Sequence, residues 1–349
     1  MKIKDFINYE QPNDYIVSSE QYNQLNNVPV LTAGQSFVLG YTDDKDGIYT
    51  KGNCIIFDDF TTSVHYVDFP FKVKSSAMKI LTTNKSADLK YCYYLLLSIS
   101  KMPASHKRQW ISTTSEKEWN LPVLKKQKNI AYVLDMLTAA INNYKKEIHI
   151  LDELIKARFV EMFGDPDNNI KGWEERALSE KIYVIGGYAF KSELFDENGE
   201  IPVLRIGNIN TGYFKPANMV YWEEDKKLER YSVYPGDLVM SLTGTVGKDD
   251  YGNVCILSDD YEMYYLNQRN AKLEIKEGIN KHYLAELLKF EKIKKKLTGI
   301  SRGVRQANIS NKDILNLIVP IPPIELQNQF ADFVKQVDKS KFIQMNSTI

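Results

Sequence analysis

Cysteine is scarce in this chain: Cys54, Cys92 and Cys255 are the only three in 349 residues, far apart and never in C-x-x-C spacing. An odd, scattered set supports neither a disulfide framework nor a zinc site, and points to a reduced, cytoplasmic protein. Histidine is equally sparse. His65, His106, His149 and His282 show no H-E-x-x-H or other ligand spacing, so each reads better as a surface or hydrogen-bonded residue than as a metal ligand. Excess charge of one sign is missing too, with 45 Lys plus Arg against 45 Asp plus Glu. That balance excludes a global basic field, so a polyanion site has to be a local patch. Long hydrophobic runs are absent. The stretch around Tyr91 to Ile99 falls far short of the ~20 residues of a spanning helix, and MKIKDFINYEQP has no apolar h-region, so no membrane association or secretion is expected.

What the chain does have is enough apolar content, 43%, to build cores, and a length that favours two domains. It also repeats itself. LPVLKKQKNIAYVLDML, from Leu121, aligns with IPPIELQNQFADFVKQV, from Ile321, pairing Pro122 with Pro322, Gln127 with Gln327 and Ala131 with Ala331. Upstream of each copy stands a second echo, RQWIS at Arg108 to Ser112 and RQANIS at Arg305 to Ser310. Further back, GNCIIFDDFTTS from Gly52 can be set against GDLVMSLTGT from Gly236, and AMKIL from Ala77 against NAKLEI from Asn270. An ordered series of echoes is the mark of duplication followed by divergence.

After Pro122 the apolar residues Ile130, Leu134, Leu137, Ile141, Tyr144, Ile148, Leu151 and Ile155 step by four and three, the seam of a coiled coil. A helix from about Leu124 to Met162 would extend roughly 55–60 Å, with the stop signal at Gly164 to Pro166. Phe330, Val334 and Val337 offer a second helix in the same register. The flanking regions read as mixed α/β. The first has strand-like runs at Asn27 to Ala33, Asn53 to Phe57, Tyr66 to Val73 and AMKIL, then a helix near Leu89 to Ile99. The second has runs at Lys181 to Phe190, Ile201 to Ile209, Gly236 to Leu242, Asn253 to Leu257 and NAKLEI, then a helix from about Lys281 to Leu297.

Catalytic patterns fail one after another. LTGTVGKD, Leu242 to Asp249, has Leu242 where a phosphate loop needs glycine, and Asp249 where it needs Ser or Thr. Its turn still suits backbone N–H groups approaching an anion such as a DNA phosphate. IPPI at Ile321 lacks the polar residue and the aromatic of an amino-methyltransferase motif, and PDNNIKGWEERALSEK has the acids and lysine of a nuclease in the wrong arrangement. No catalytic, metal or cofactor residue is therefore expected.

A binding signal remains. Lys289, Lys292, Lys294, Lys295 and Lys296 precede Arg302, Arg305 and Gln306; in the first half Lys101, His106, Lys107, Arg108 and Gln109 precede Trp110. Basic side chains beside Gln, Asn and Ser suit phosphate positioning with base-edge hydrogen bonds. Lysine-rich helix ends are more often solvated faces, and it is their recurrence in both halves that favours function. Arg205 and Asn208 in VLRIGNI, Thr243, Thr245 and Lys248 in the glycine turn, and Asn267, Gln268 and Arg269 in YLNQRN complete the candidates; turn and strand-pairing roles compete for each.

These segments, in this order, resemble the DNA-specificity subunit of type I restriction–modification systems: VPVLTAGQSFVLGYTDDKDGIY, IIFDDFTTSVHYVDFPFKVKSSAMKIL and ARFVEMFGDP join the passages already quoted, so the likeness spans nearly the whole chain. The resemblance implies a mixed α/β (α+β) fold, with two similar target-recognition domains joined by long antiparallel coiled-coil spacer helices. Carried over, 1–120 is the first recognition domain, 121–164 the central spacer helix, 165–319 the second recognition domain and 320–349 a short distal helix. It implies a non-catalytic subunit that reads a bipartite target in double-stranded DNA. Its partners would be two modification subunits, which use S-adenosylmethionine to methylate adenine at N6, and restriction subunits using ATP and Mg2+. The chain itself would bind no cofactor. Two departures from the family pattern stand out: the distal helix is short, and the chain starts almost at its first recognition domain. The alternative from another class is a coiled-coil interaction scaffold that binds no DNA. A self-sufficient methyltransferase or nuclease is a third, which should bind S-adenosylmethionine or a divalent metal by itself.

Overall fold

The computed structural model describes residues 1–19, 22, 27–32, 36–101, 108–166, 168–196, 199–248, 250–299 and 306–346. It divides into two compact units, Met1–Asn143 and Tyr144–Ile349.

The first unit contains β1 (Ile7–Glu10), β2 (Val28–Leu31), β3 (Val38–Thr42), β4 (Cys54–Asp58), β5 (Val64–Val67), β6 (Lys72–Val73), β7 (Met78–Thr83) and α1 (Leu89–Ile99), and it holds the start of α2 (Leu124–Phe163). Strands β1, β7, β4 and β5 lie side by side in an antiparallel sheet, and β3, β2 and β6 form a smaller sheet in which β2 and β6 run parallel. The run Tyr66 to Val73, expected as one strand, is therefore two strands in different sheets. Pro70, which cannot donate to a ladder, sits in the break.

The second unit carries β8 (Glu175–Ala177), β9 (Ile182–Gly186), β10 (Ile201–Leu204), β11 (Val220–Trp222), β12 (Ser232–Val233), β13 (Leu238–Ser241), β14 (Thr243–Thr245), β15 (Val254–Ile256), β16 (Tyr264–Leu266) and β17 (Asn270–Ile275). It continues with α3 (Lys281–Leu287), α4 (Glu291–Thr298), β18 (Gln306–Asn308), α5 (Asn311–Leu315), β19 (Ile318–Pro320) and α6 (Ile324–Asn346). Its main sheet, in order β9, β17, β13, β15, repeats the order β1, β7, β4, β5 with the same antiparallel senses. Its small sheet repeats the other: β10 pairs antiparallel with β11 and parallel with β16, as β2 does with β3 and β6. The faint echoes around Gly52 and Gly236 thus fall on strands of equal rank. Their register is shifted, however: Asp58 opposite Met78 takes the place of Met240 opposite Ala271, two residues from the alignment by glycine.

In each unit the segment that leads into the first strand of the main sheet pairs back with the segment before the proline turn. In the first, Ile3 N donates to Lys117 O and Trp119 N to Met1 O; in the second, β8 pairs with β19 and Leu178 N donates to Leu317 O.

The helix expected over Lys281 to Leu297 is broken. Phe290 leaves the helical conformation, with ψ 133°, and its ring packs 5.0 Å from Phe159 on α2. The period-3.5 seam of α2 is covered at both ends: Ile130 and Ala131 pack in the first unit's core, Ile155, Phe159 and Phe163 in the second's. Between them Leu137 and Ile141 are exposed, both 49%. Within the second unit α6 runs antiparallel to α2, Phe330 meeting Phe159 and Phe163, Phe333 meeting Arg158, and Lys341 reaching Asp152 at 2.7 Å. The central helix has 40 residues and α6 has 23. Helix α2 ends where expected. Gly164 takes φ +79°, Lys171 Nζ donates to the carbonyls of Glu161 and Met162, and the Trp173 indole N–H donates to Phe163 O at 2.8 Å, satisfying the last turn.

Candidate nucleic-acid interface

In the second unit, the turns at the ends of β10 and β16 open on one cavity of about 580 Å³, lined by Arg205, Asn208, Lys215, Asn218, Asn267, Gln268 and Arg269, with Phe190 and Phe195 at its wall. Parallel pairing puts the two turns together: Leu204 stands opposite Leu266, and Asn267 N donates to Leu204 O at 3.3 Å. Sequence alone separates these groups by more than sixty positions. The loop after β9 presses on the same turn, with Tyr188 N donating to Leu266 O and Gln268 N to Tyr188 O, both at 2.8 Å. Gly187 permits that approach, since a Cβ there would lie 2.2 Å from Asn267 O.

Gln268 and Arg269 project from this turn exposed, which suits long donors to phosphates or base edges. Arg205 is half-buried, with its guanidinium donating to Asn218 O. Asn208 is different. It is 2% exposed; its Oδ1 accepts from Arg205 N at 2.9 Å, and its amide donates to Lys215 O at 3.0 Å and Ala217 O at 3.1 Å. Its side chain is spent on shaping the loop rather than held out to a ligand, because a buried amide must be satisfied locally. Lys215, Asn218 and the two phenylalanines were not singled out from the sequence; an isolated lysine and scattered aromatics carry no local signal of a shared cavity.

The glycine turn lies against this site. Leu242 N donates to Arg269 O and Leu242 O accepts from Ile309 N, each at 2.8 Å, so three segments run together. Strand β14 pairs with β18, setting Thr245 opposite Gln306 and Thr243 opposite Asn308. Thr245 is committed to its own turn: its N–H and hydroxyl both donate to Asp250, at 2.8 and 2.9 Å, and the backbone bond is the main cause of the carboxyl lying below its ordinary range. Thr243 is half-buried, with no protein partner for its hydroxyl, and Lys248 is exposed on the turn. Lys107, Arg302 and Arg305 lie outside the described residues, as does the side chain of Gln306.

In the first unit Arg108 is exposed and Gln109 half-buried at the entrance of a π-helical turn, Trp110–Thr114. Gln109 N donates to Asp59 O and Trp110 N to Asp59 Oδ1, both at 2.8 Å. This segment therefore docks just after β4, as β18 docks just after β13. The lysine-rich helix is less basic outwardly than its sequence suggests. Lys294 is 8% exposed with Nζ on Asn253 Oδ1 at 2.8 Å, while Lys289 and Lys295 sit on Glu286 and Glu291.

Among the described residues no group of three or more His, Cys, Asp or Glu is placed to hold a metal ion, and no helix is long and apolar enough to cross a membrane. All three cysteines are buried, and burial pushes their thiols up to about 12.

Two units of one topology, each ending in a proline turn that launches a helix and one opening a polar cavity at its strand ends, define a duplicated α/β module. The chain belongs to the family described as the type I restriction modification DNA specificity domain, which matches residues 1–151 and 170–349. It is 28% identical over 353 residues to the type I restriction enzyme EcoR124I/EcoR124II specificity subunit of Escherichia coli, covering 97% of this chain and 86% of that one. It is also 28% identical over 289 residues to the MjaVIII specificity subunit of Methanocaldococcus jannaschii, covering 76% and 67%. The fold is shared with the crystal structure of the type I restriction–modification S subunit from M. genitalium, with TM-score 0.61 and 17% identity, covering 100% of this chain and 91% of that one. A specificity subunit is the non-catalytic, DNA-recognising member of its system.

Proposed function

We propose that the two units each read one half of a bipartite target in double-stranded DNA, and that α2 sets the number of unread base pairs between the halves. The observation that carries this reading is the repetition of one topology in both units, with exposed Gln268 and Arg269 on a polar cavity at the strand ends of the second. Arginine suits guanine and glutamine suits adenine in bidentate contacts, while Lys248 and Lys215 suit phosphates. The chain would dock two modification subunits, which methylate adenine at N6 with S-adenosylmethionine, and restriction subunits that use ATP and Mg2+ to translocate and cut DNA. It would work in the cytoplasm and hold no cofactor itself. The domain division follows: recognition in 1–120 and 165–319, spacing in 121–164, and helix pairing in 320–349.

An electrophoretic shift with the full chain and its modification subunit tests the reading. Binding should be sequence-selective and weaken steeply with salt as counterions are released. No DNA binding at all returns the chain to the scaffold alternative, and binding without preference among DNA sequences overturns the reading of a specific target.

A further inference from the structure

The repeat can be read residue by residue at one place, the small sheet. Val30 and Leu31 stand parallel to Lys72 and Val73, as Val203 and Leu204 stand to Tyr265 and Leu266. Past the strand end the hydrogen bonds coincide: Lys74 N donates to Leu31 O at 2.9 Å where Asn267 N donates to Leu204 O at 3.3 Å. The incoming loop matches as well, Val17 N donating to Val73 O at 3.0 Å where Tyr188 N donates to Leu266 O at 2.8 Å. Beyond the turn the next strand resumes in step, with Asp59 N on Ala77 O at 3.0 Å and Ser241 opposite Asn270. Lys74, Ser75 and Ser76 therefore occupy the places of Asn267, Gln268 and Arg269, and Thr32 that of Arg205.

We propose that the Lys74–Ser76 turn, with Thr32 beside it, is the DNA-contacting edge of the first unit, Lys74 meeting phosphate and the serine hydroxyls meeting base edges. Lys74 and Ser75 are exposed and Ser76 is half-buried. The inference rests on the DNA-reading role of the second unit's cavity and extends it to a turn whose chemistry is different. Short hydroxyls serve either donors or acceptors on a base, whereas Gln and Arg make bidentate pairs that discriminate by roughly tenfold or more. The first unit's half of the target is accordingly the less stringent one.

The test uses the full chain co-expressed with its modification subunit, the methylated sites being mapped on DNA of random sequence. Ser75→Gln with Ser76→Arg should change the preferred bases in one half of the target only, while Gln268→Ala with Arg269→Ala relaxes the other half. Lys74→Ala, at an exposed position, should weaken binding several-fold across all sequences and lower the salt slope by about one. A thermal melt of each variant shows that it is folded. If both first-unit variants keep affinity and both half-sites while the second-unit variant relaxes one, the turn is not the reading edge and the proposal fails alone. If the second-unit variant also changes nothing, the reading of the cavity fails with it.

Discussion

Gln127 and Gln327 share two hydrogen bonds in the two halves of the chain, and Gln127 makes a third, its Nε2 donating to Ser86 O at 3.0 Å. Each is completely buried in the first turn of its helix; Nε2 donates back to the carbonyl of Pro122 or Pro322 at 2.7 Å, and Oε1 accepts from the N–H of Asp88 or Asn280 at 2.8 Å. Those last two residues are the N-caps of α1 and α3. One side chain thus fixes the proline turn, the launch of the long helix and the start of the helix packed beside it.

Replacing Gln327 by Leu leaves the Asn280 N–H and the Pro322 carbonyl without their partner. About 1–3 kcal/mol is expected for each group left unsatisfied. Urea unfolding followed by circular dichroism should show the loss, and Gln127→Leu, which also strands the Ser86 carbonyl, should show one at least as large; a midpoint unmoved in both would remove these bonds from the account of stability.

Lys79 and Asp59 are both fully buried and 3.1 Å apart, and Asp59 also receives Trp110 N. Lys79→Met strands a buried carboxylate, with an expected cost of about 3–5 kcal/mol. Since Asp59 anchors the Gln109–Trp110 turn, limited proteolysis should also cut faster near Arg108 in that variant.

Seven residues inserted near Asn142, in a stretch where the helix is exposed, lengthen α2 by ~10.5 Å, or about three base pairs at ~3.4 Å each. Methylation mapping should show a target with a spacer longer by that amount and unchanged half-sites. An active complex with its old spacer would end the ruler reading.

Burial lowers both His65, stacked 3.9 Å from Phe37, and His282 from the ordinary value of 6.5. The fold holds their neutral forms, and the unfolded chain binds the proton first as pH falls. Their contribution to stability is therefore present above pH 6.5 and lost as acid approaches their lower folded values. Denaturant midpoints should drop between about pH 7.5 and about pH 5.5, and His65→Phe should flatten that slope while retaining the ring stack.

The sequence by itself determined the elements whose signals are local. Apolar residues at steps of four and three, followed by Gly164 with its left-handed backbone, mark α2 to within a residue of its end, and the shared Pro and Gln of the two passages mark the duplication. Local signals also misled where neighbours in space compete with them. Phe290, packed against Phe159, leaves the helical conformation inside a stretch that periodicity would have continued, and Asn208, for which a base contact and a turn role were open alike, spends its amide within the loop. What only the tertiary structure decided is which turns share a cavity. Parallel pairing of β10 with β16 joins Arg205 to Gln268 and Arg269, and the same pairing of β2 with β6 gives the Lys74–Ser76 turn the same place in the first unit. Pairing between strands far apart in sequence depends on side chains packing across a sheet, and no short stretch of either strand carries that information.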